Sequence, residues 1–294
     1  MIKGTYRFFQ NGELVGEHEN LLTTAGKQTI VRYFSGIEKF ICQSIAVGLS
    51  GTAANVSDIA LGYELDRADI ISVGADITNF RSVFKATLTP ELVGSIYEVG
   101  AFTVSVNTED SGFGSKSLFS MSAYESWVGG SFVTTNTREA RSLRLNPIAS
   151  ATASADFAST VDLSGYSGVD QFLIAFYVAD ANCASVTIKL GSDASNYASF
   201  VVAAPAAGYQ VARMNKSAGT LTGVPIWSSI SYIHIDAVAK AGGATIVDID
   251  GMRVENMDST NQNYALVSHS ILAAPVLKKA GIPMDIEYSL TVTA

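Results

Sequence analysis

A chain of 294 residues, 48% hydrophobic and only 16% charged, can bury an ordinary core in each of roughly two domains. Its net charge of −8, with basic residues scattered along the chain, excludes the basic footprint of a nucleic-acid binder. No apolar run approaches the ~20 residues of a membrane span and the first residues lack a signal-like apolar core, so no membrane partner and assembly in a cytoplasm are expected. Abundant Gly with little Lys or Glu favours strands and turns, and a mainly β fold is expected.

In chain order, two strand-like runs flank Asn11-Gly12, the strongest short hairpin signal. Thr23 or Thr24 can cap one short helix carrying Ile30, Val31, Tyr33 and Phe34. A strand at 45–49 and a polar stretch to Asp58 follow. Leu61, Glu64 and Arg67 then have the spacing of a short helical turn, on which Glu64, Asp66 and Asp69 read as a solvated acidic group paired with Arg67. Strands at 78–88 and 95–106, a loop at 107–117 and a strand-like run at 118–124 complete this block. Two further strands lie at the far end of the chain, within 264–292. A lone hairpin is marginal in water, so they must pair with the N-terminal block.

Between these flanks, strand segments begin near 142, 171, 185, 197, 209, 230 and 245, with turn signals between them. Seven or eight short strands between Arg141 and Glu255 predict an antiparallel sandwich, jelly roll or immunoglobulin-like. The domain reading is therefore a β-rich host of residues 1–135 plus 258–294, split by an inserted β-sandwich at 136–257.

The insert resembles the carbohydrate-binding-module type of jelly roll. The resemblance rests on Leu143 to Leu145 as a first strand, Asp162 to Tyr166 before a long apolar strand, Gly191 to Asp193 before Asn196-Tyr197, the run from Trp227 to Ile235, and Val247 to Val254 as closing strand. The flanks resemble accessory structural proteins of tailed-bacteriophage virions, through the opening hairpin, Asn20 to Lys27, Ile45 to Leu49, Leu61 with Glu64 and Arg67, Ile96 to Phe102, Pro275 to Lys279 and Ile286 to Val292. That second resemblance implies a decoration, neck or tail-associated virion protein, partnered by copies of itself and by other virion proteins.

Candidate chemistry is sparse. His18, His234 and His269 have no second histidine at ligand spacing and read as structural or exposed. Cys42 and Cys183 read as buried free thiols. Two phosphate-loop-like fragments, around Gly26-Lys27 and Gly112 to Lys116, miss the required spacing, and no Gly-x-Ser-x-Gly elbow stands beside a plausible histidine. The chain is expected not to be an enzyme. The jelly-roll resemblance implies a structural calcium site where first and last strands meet, at Glu139, Asp248 and Asp250. Read from the strand alone, Asp248 and Asp250 face solvent. Among Tyr166, Tyr197, Tyr209, Trp227 and Tyr232, the glycan-contacting candidates are Tyr197, Tyr209 and Trp227, although Trp227 also reads as core. The combined expectation is a non-enzymatic virion component that docks through the host and displays the jelly roll. The alternative is a glycan-binding adhesin.

Overall fold

The computed structural model describes residues 2–103, 115–121, 126–257 and 266–293. Most of the expected 107–117 loop, the start of the Gly112 to Lys116 fragment and the end of the 118–124 run lie outside the described residues. The chain divides into two compact units, Met1–Phe113 with Ser259–Ala294, and Gly114–Asp258.

The first unit opens with β1 (Ile2–Gln10) and β2 (Glu13–Glu19). They are joined at Asn11 and Gly12, whose φ values of 52° and 78° are the left-handed pair a two-residue hairpin turn needs. Next come β3 (Leu21–Leu22), α1 (Thr24–Phe34), β4 (Ser44–Gly48), β5 (Glu64–Asp76), β6 (Arg81–Leu88) and β7 (Gly94–Phe102). The second unit carries β8 (Ser115–Ser120), β9 (Trp127–Val128), β10 (Ser131–Val133), β11 (Ser142–Leu145), β12 (Thr152–Phe157) and β13 (Gln171–Val178). It continues with β14 (Cys183–Asp193), β15 (Asn196–Ala203), β16 (Gly208–Asn215), β17 (Thr220–Thr222), β18 (Tyr232–Ala239) and β19 (Val247–Glu255). Strands β20 (Leu266–Lys278) and β21 (Met284–Val292) return to the first unit. The fold is mainly β with one α-helix among the described residues, as expected.

In the first unit a nine-stranded antiparallel sheet runs β2-β1-β21-β6-β5-β4-β7-β20-β3. The C-terminal strands find the partners that a lone hairpin lacks: β21 lies between β1 and β6, and β20 beside β7. Alternate residues of these strands, among them Tyr6, Phe8, Val47, Ile96 and Tyr288, make the core, with Tyr6 and Tyr288 stacked at 4.8 Å. Thr23 caps α1 by accepting the Gly26 N–H at 2.9 Å, and Gly26, Thr29 and Ile30 form its buried side.

The helical turn expected near Glu64 is absent, and 64–76 is one long strand. Leu65 is the extra residue of a bulge between the Val47↔Asp66 and Gly48↔Glu64 pairs. It brings Glu64 and Arg67, three residues apart, onto one face. Arg67 Nη2 lies 2.6 Å from Glu64 Oε2 and its guanidinium 3.8 Å over the Phe102 ring, so Glu64 is paired as expected but buried rather than solvated, while Asp66 and Asp69 are half-buried. Residues 77–80 form a turn, and the strand expected at 78–88 begins at Arg81.

The second unit has two sheets, β10-β11-β19-β13-β16 and β17-β15-β14-β18-β12-β9, with β8 alongside β19. Setting aside β8, β9, β10 and β17 at the margins leaves eight strands in chain order. The sheets then read first-eighth-third-sixth and fifth-fourth-seventh-second, the interlocked Greek keys of a jelly roll. Phe172, Ile174 and Phe176 of β13 meet Ile188, Leu190, Ile233 and Ile235 of the facing sheet in the core.

The insert begins earlier than residue 136. Strands β8, β9 and β10 pair with β19, β12 and β11, so these three strands belong to the jelly roll and not to the host. The two ends of the insert pair with each other, Ser115 opposite Glu255. In the host, Phe102 stands opposite Leu266.

Candidate functional site

Strand alternation in β18 sends Ile233, Ile235 and Ala237 into the core and Tyr232, His234 and Asp236 outward. Register brings neighbours to them. Gly191 of β14 stands between Tyr197 of β15 and Tyr232 of β18, and the two rings approach across it to 6.1 Å between centroids. A Cβ on Gly191 would lie 2.6 Å from the Tyr197 Cβ, so only glycine permits this approach. The Tyr232 and His234 rings follow along β18, 5.7 Å apart and within 16° of parallel.

Charged groups sit beside the rings. Lys189 Nζ is 5.7 Å from the Tyr197 ring and 2.9 Å from Asp236 Oδ2. Asp236 also accepts the Ser154 hydroxyl at 2.5 Å. His234 Nδ1 lies 2.7 Å from Asp156 and its Nε2 2.8 Å from Asp236. With both ring nitrogens held by carboxylates, His234 has none to offer as a general base. Partial burial pushes the Asp236 carboxyl up, but Lys189, Ser154 and His234 outweigh it and hold it below the usual carboxylate range. Partial burial lowers the Lys189 ammonium, and Asp236 more than reverses that. The outer face of this sheet thus presents three half-buried rings beside fixed donors and acceptors.

The opposite sheet disposes of its polar groups internally. Tyr177 and Tyr209 face each other across β13 and β16. Tyr209 donates its hydroxyl to Asp250 at 2.7 Å and lies 3.8 Å beneath the Arg138 guanidinium, so its ring is already covered. Asp250 further accepts the Thr137 hydroxyl at 2.9 Å and the Arg138 N–H at 2.8 Å. Asp248 takes Arg144 Nε and Nη2, both at 2.7 Å, and Asn136 at 3.2 Å.

Asp248 and Asp250 are fully buried, contrary to the solvent-facing reading, because the chain before β11 supplies donors to them. Glu139 accepts from Ser120 at 2.8 Å. Each of the three carboxylates thus has protein partners, and no group of three or more His, Cys, Asp or Glu among the described residues could hold a metal ion.

Burial pushes the Asp250 carboxyl up to about 6, against the hydrogen bonds from Tyr209, Arg138, Thr137 and the Glu139 backbone that pull it down. The folded state therefore prefers the protonated acid. That contribution is complete below the ordinary value near 4 and is lost as pH rises through about 6. Relative to Asp250→Asn, which cannot ionise, the wild type should gain about 2 kcal/mol between pH 7 and pH 4. Parallel denaturant titrations check this, and a gap that is flat with pH removes the assignment.

Of the glycan candidates read from sequence, only Tyr197 lies on the exposed aromatic face. Tyr209 is committed to Asp250, and Trp227 stacks on the core ring of Phe172 at 6.2 Å with Lys216 Nζ 4.5 Å away. Tyr166 likewise packs on the core. The sequence reads His234 as structural or exposed and offers no register with which to place Lys189, Asp156 and Asp236 beside Tyr232.

The other histidines are structural: His18 packs edge-on to Phe8, and His269 is buried between Asp58 and Glu98. Cys42 and Cys183 are buried free thiols, and burial pushes Cys42 up to about 12. No helix among the described residues is long and apolar enough to cross a membrane.

No protein-family model and no curated protein matches the chain. Among solved structures it is similar to a family 11 carbohydrate-binding module of a Clostridium thermocellum cellulosomal cellulase, at 9% identity and TM-score 0.38, covering 49% of this chain and 95% of that one. A carbohydrate-binding module specific for non-crystalline cellulose aligns at 12% identity and TM-score 0.35, over 49% of this chain and 96% of its own. An agarase aligns at 13% identity and TM-score 0.37, covering 49% of this chain and 24% of the enzyme.

Proposed function

We propose that the jelly roll of residues 114–258 is a non-catalytic carbohydrate-binding module, contacting sugar on the outer face of its second sheet. The supporting observation is the row Tyr197, Tyr232 and His234 flanked by Lys189, Asp236 and Asp156. Ring carbon surface suits the C–H faces of a pyranose, while a fixed ammonium and two carboxylates can exchange hydrogen bonds with its hydroxyls. Asp156 and Asp236 stand beside the single ammonium of Lys189, so the face carries no excess of fixed positive charge and suits a neutral glycan over a polyanionic one.

The full chain should bind neutral oligosaccharides on a glycan array. By titration calorimetry, Tyr197→Ala and Tyr232→Ala should each weaken binding about tenfold, ~1.4 kcal/mol, while Tyr209→Phe leaves it unchanged. A silent array, or binding that ignores both alanine variants, refutes this reading.

The second reading is a structural role in a larger assembly. The exposed apolar side chains Ile71, Val73, Ile77 and Phe80 of the first unit favour it, since such groups in a folded unit suit a covered state. The virion setting rests on the resemblance of the flanks alone.

A further inference from the structure

The nine-stranded sheet ends at β2 on one side, where Glu13, Glu17 and Glu19 discourage pairing with another strand. A second open edge lies within β5. Residues 64–69 of β5 pair with β4, and the Ile70 N–H still reaches the Gln43 carbonyl at 2.8 Å. Beyond it, the rest of β5 pairs with β6 alone among the described residues.

Residues 71–75 are all exposed and none is charged. Ile71 and Val73 are 69% and 65% exposed, and at the adjoining turn Ile77 and Phe80 are 83% and 70% exposed. This stretch carries neither charge nor proline, and no described residue covers it, so it lacks the devices that blunt an open edge.

We propose that a second copy of this chain adds here, β5 to β5 and antiparallel about Val73. A strand edge selects another strand, because only extended backbone offers N–H and C=O groups at the matching repeat. Antiparallel self-pairing lets one sequence supply both sides. It sets Ile71 opposite Ala75 and Val73 opposite its own copy. The nearest carboxylates, Asp69 and Asp76, lie outside the 71–75 overlap, so like charges do not meet. Asp76 is in addition already paired with Arg81 at 3.4 Å. The contact is isologous and closes as a dimer. A strand of this length buries less than the ~1,200–2,000 Å² of a standard interface, so the dimer is weak, with Kd of about micromolar or above.

Sedimentation velocity of the full chain over about 5–500 μM should show a concentration-dependent dimer. Val73→Lys should weaken it at least about tenfold without moving the melting temperature, since the side chain is exposed. Val73→Cys should form a disulfide-linked dimer under mild oxidation, and the wild type should not, its two cysteines being buried. Ile71→Cys mixed with Ala75→Cys should cross-link more than either alone. A chain that stays monomeric throughout, a dimer indifferent to Val73→Lys, or an uncross-linked Val73→Cys overturns the proposal. Each of these leaves the glycan reading untouched, because its residues lie in the other unit.

Discussion

Glu98→Ala should destabilise the first unit by about 3–5 kcal/mol, the range for removing one partner of a buried ion pair. Glu98 is fully buried in β7. Its Oε1 accepts the N–H of Ser50 at 2.9 Å and of Tyr63 at 2.8 Å, and its Oε2 accepts Gly62 N–H at 2.7 Å and His269 Nε2 at 3.1 Å. One carboxylate therefore pins both ends of the 49–63 loop and holds His269, whose Nδ1 meets Asp58 at 2.7 Å. Truncation strands three backbone donors and an imidazolium, and each unsatisfied buried group costs about 1–3 kcal/mol.

Burial works against the charge on His269, but Glu98 and Asp58 outweigh it and raise its pKa. The stabilisation from this histidine is complete below its ordinary value near 6.5 and lost as pH rises through its raised value. Glu98→Ala should thus lose most stability in acid, where the wild type holds the full ion pair. Calorimetry at pH 6 and pH 9 checks this, and a loss under about 1 kcal/mol at both sinks the account.

Gly26→Ala should destabilise the chain by about 2 kcal/mol or more, although alanine is the better helix former by about 1 kcal/mol. The added Cβ would lie 1.9 Å from the Val267 carbonyl oxygen, 2.6 Å from its carbon and 2.8 Å from its Cα. These are backbone atoms of β20 and cannot swing aside. Either α1 lifts from the sheet, taking buried Thr29 and Ile30 with it, or β20 shifts. Gly74→Ala is the control, as nothing lies within 4 Å of its Cβ position, and it should stay within about 0.5 kcal/mol. A Gly26→Ala chain that melts with wild type or above contradicts the packing argument.

Local signals in this sequence were legible where the chemistry is local. Asn11-Gly12 and Thr23 act on backbone within three residues, and both do what their types imply. The alternation of the jelly-roll strands was equally readable, since burial repeats every second residue. Features set by register were not. Glu64 and Arg67 mimic helical spacing because a bulge supplies the extra residue.

Asp248 and Asp250 look like outward positions on a strand. They are in fact buried, since most of their donors, Asn136, Thr137, Arg138 and Arg144, come from more than a hundred positions earlier. The aromatic face is half legible. Tyr197 is a plausible sugar contact by type, but pairing it with Tyr232 requires knowing that Gly191 stands between them. Glu98 carried no signal beyond sitting in an apolar strand, yet it organises a whole loop.

The paired ends of the insert bear on the order in which the chain can fold. Strand β1 has β21 as partner and β7 has β20, both made after the insert, so the sheet of the first unit stays incomplete until those two strands have emerged. The jelly roll, whose own strands emerge in between, is free to fold first. Once Ser115 lies against Glu255, the loop that β7 and β20 must close shrinks from well over a hundred flexible residues to the short segments on either side. On a logarithmic closure entropy that eases the step by about 2 kcal/mol. The insert therefore acts as an internal splint for its host, and lesions that unfold the jelly roll should slow closure of a sheet to which it contributes no strand.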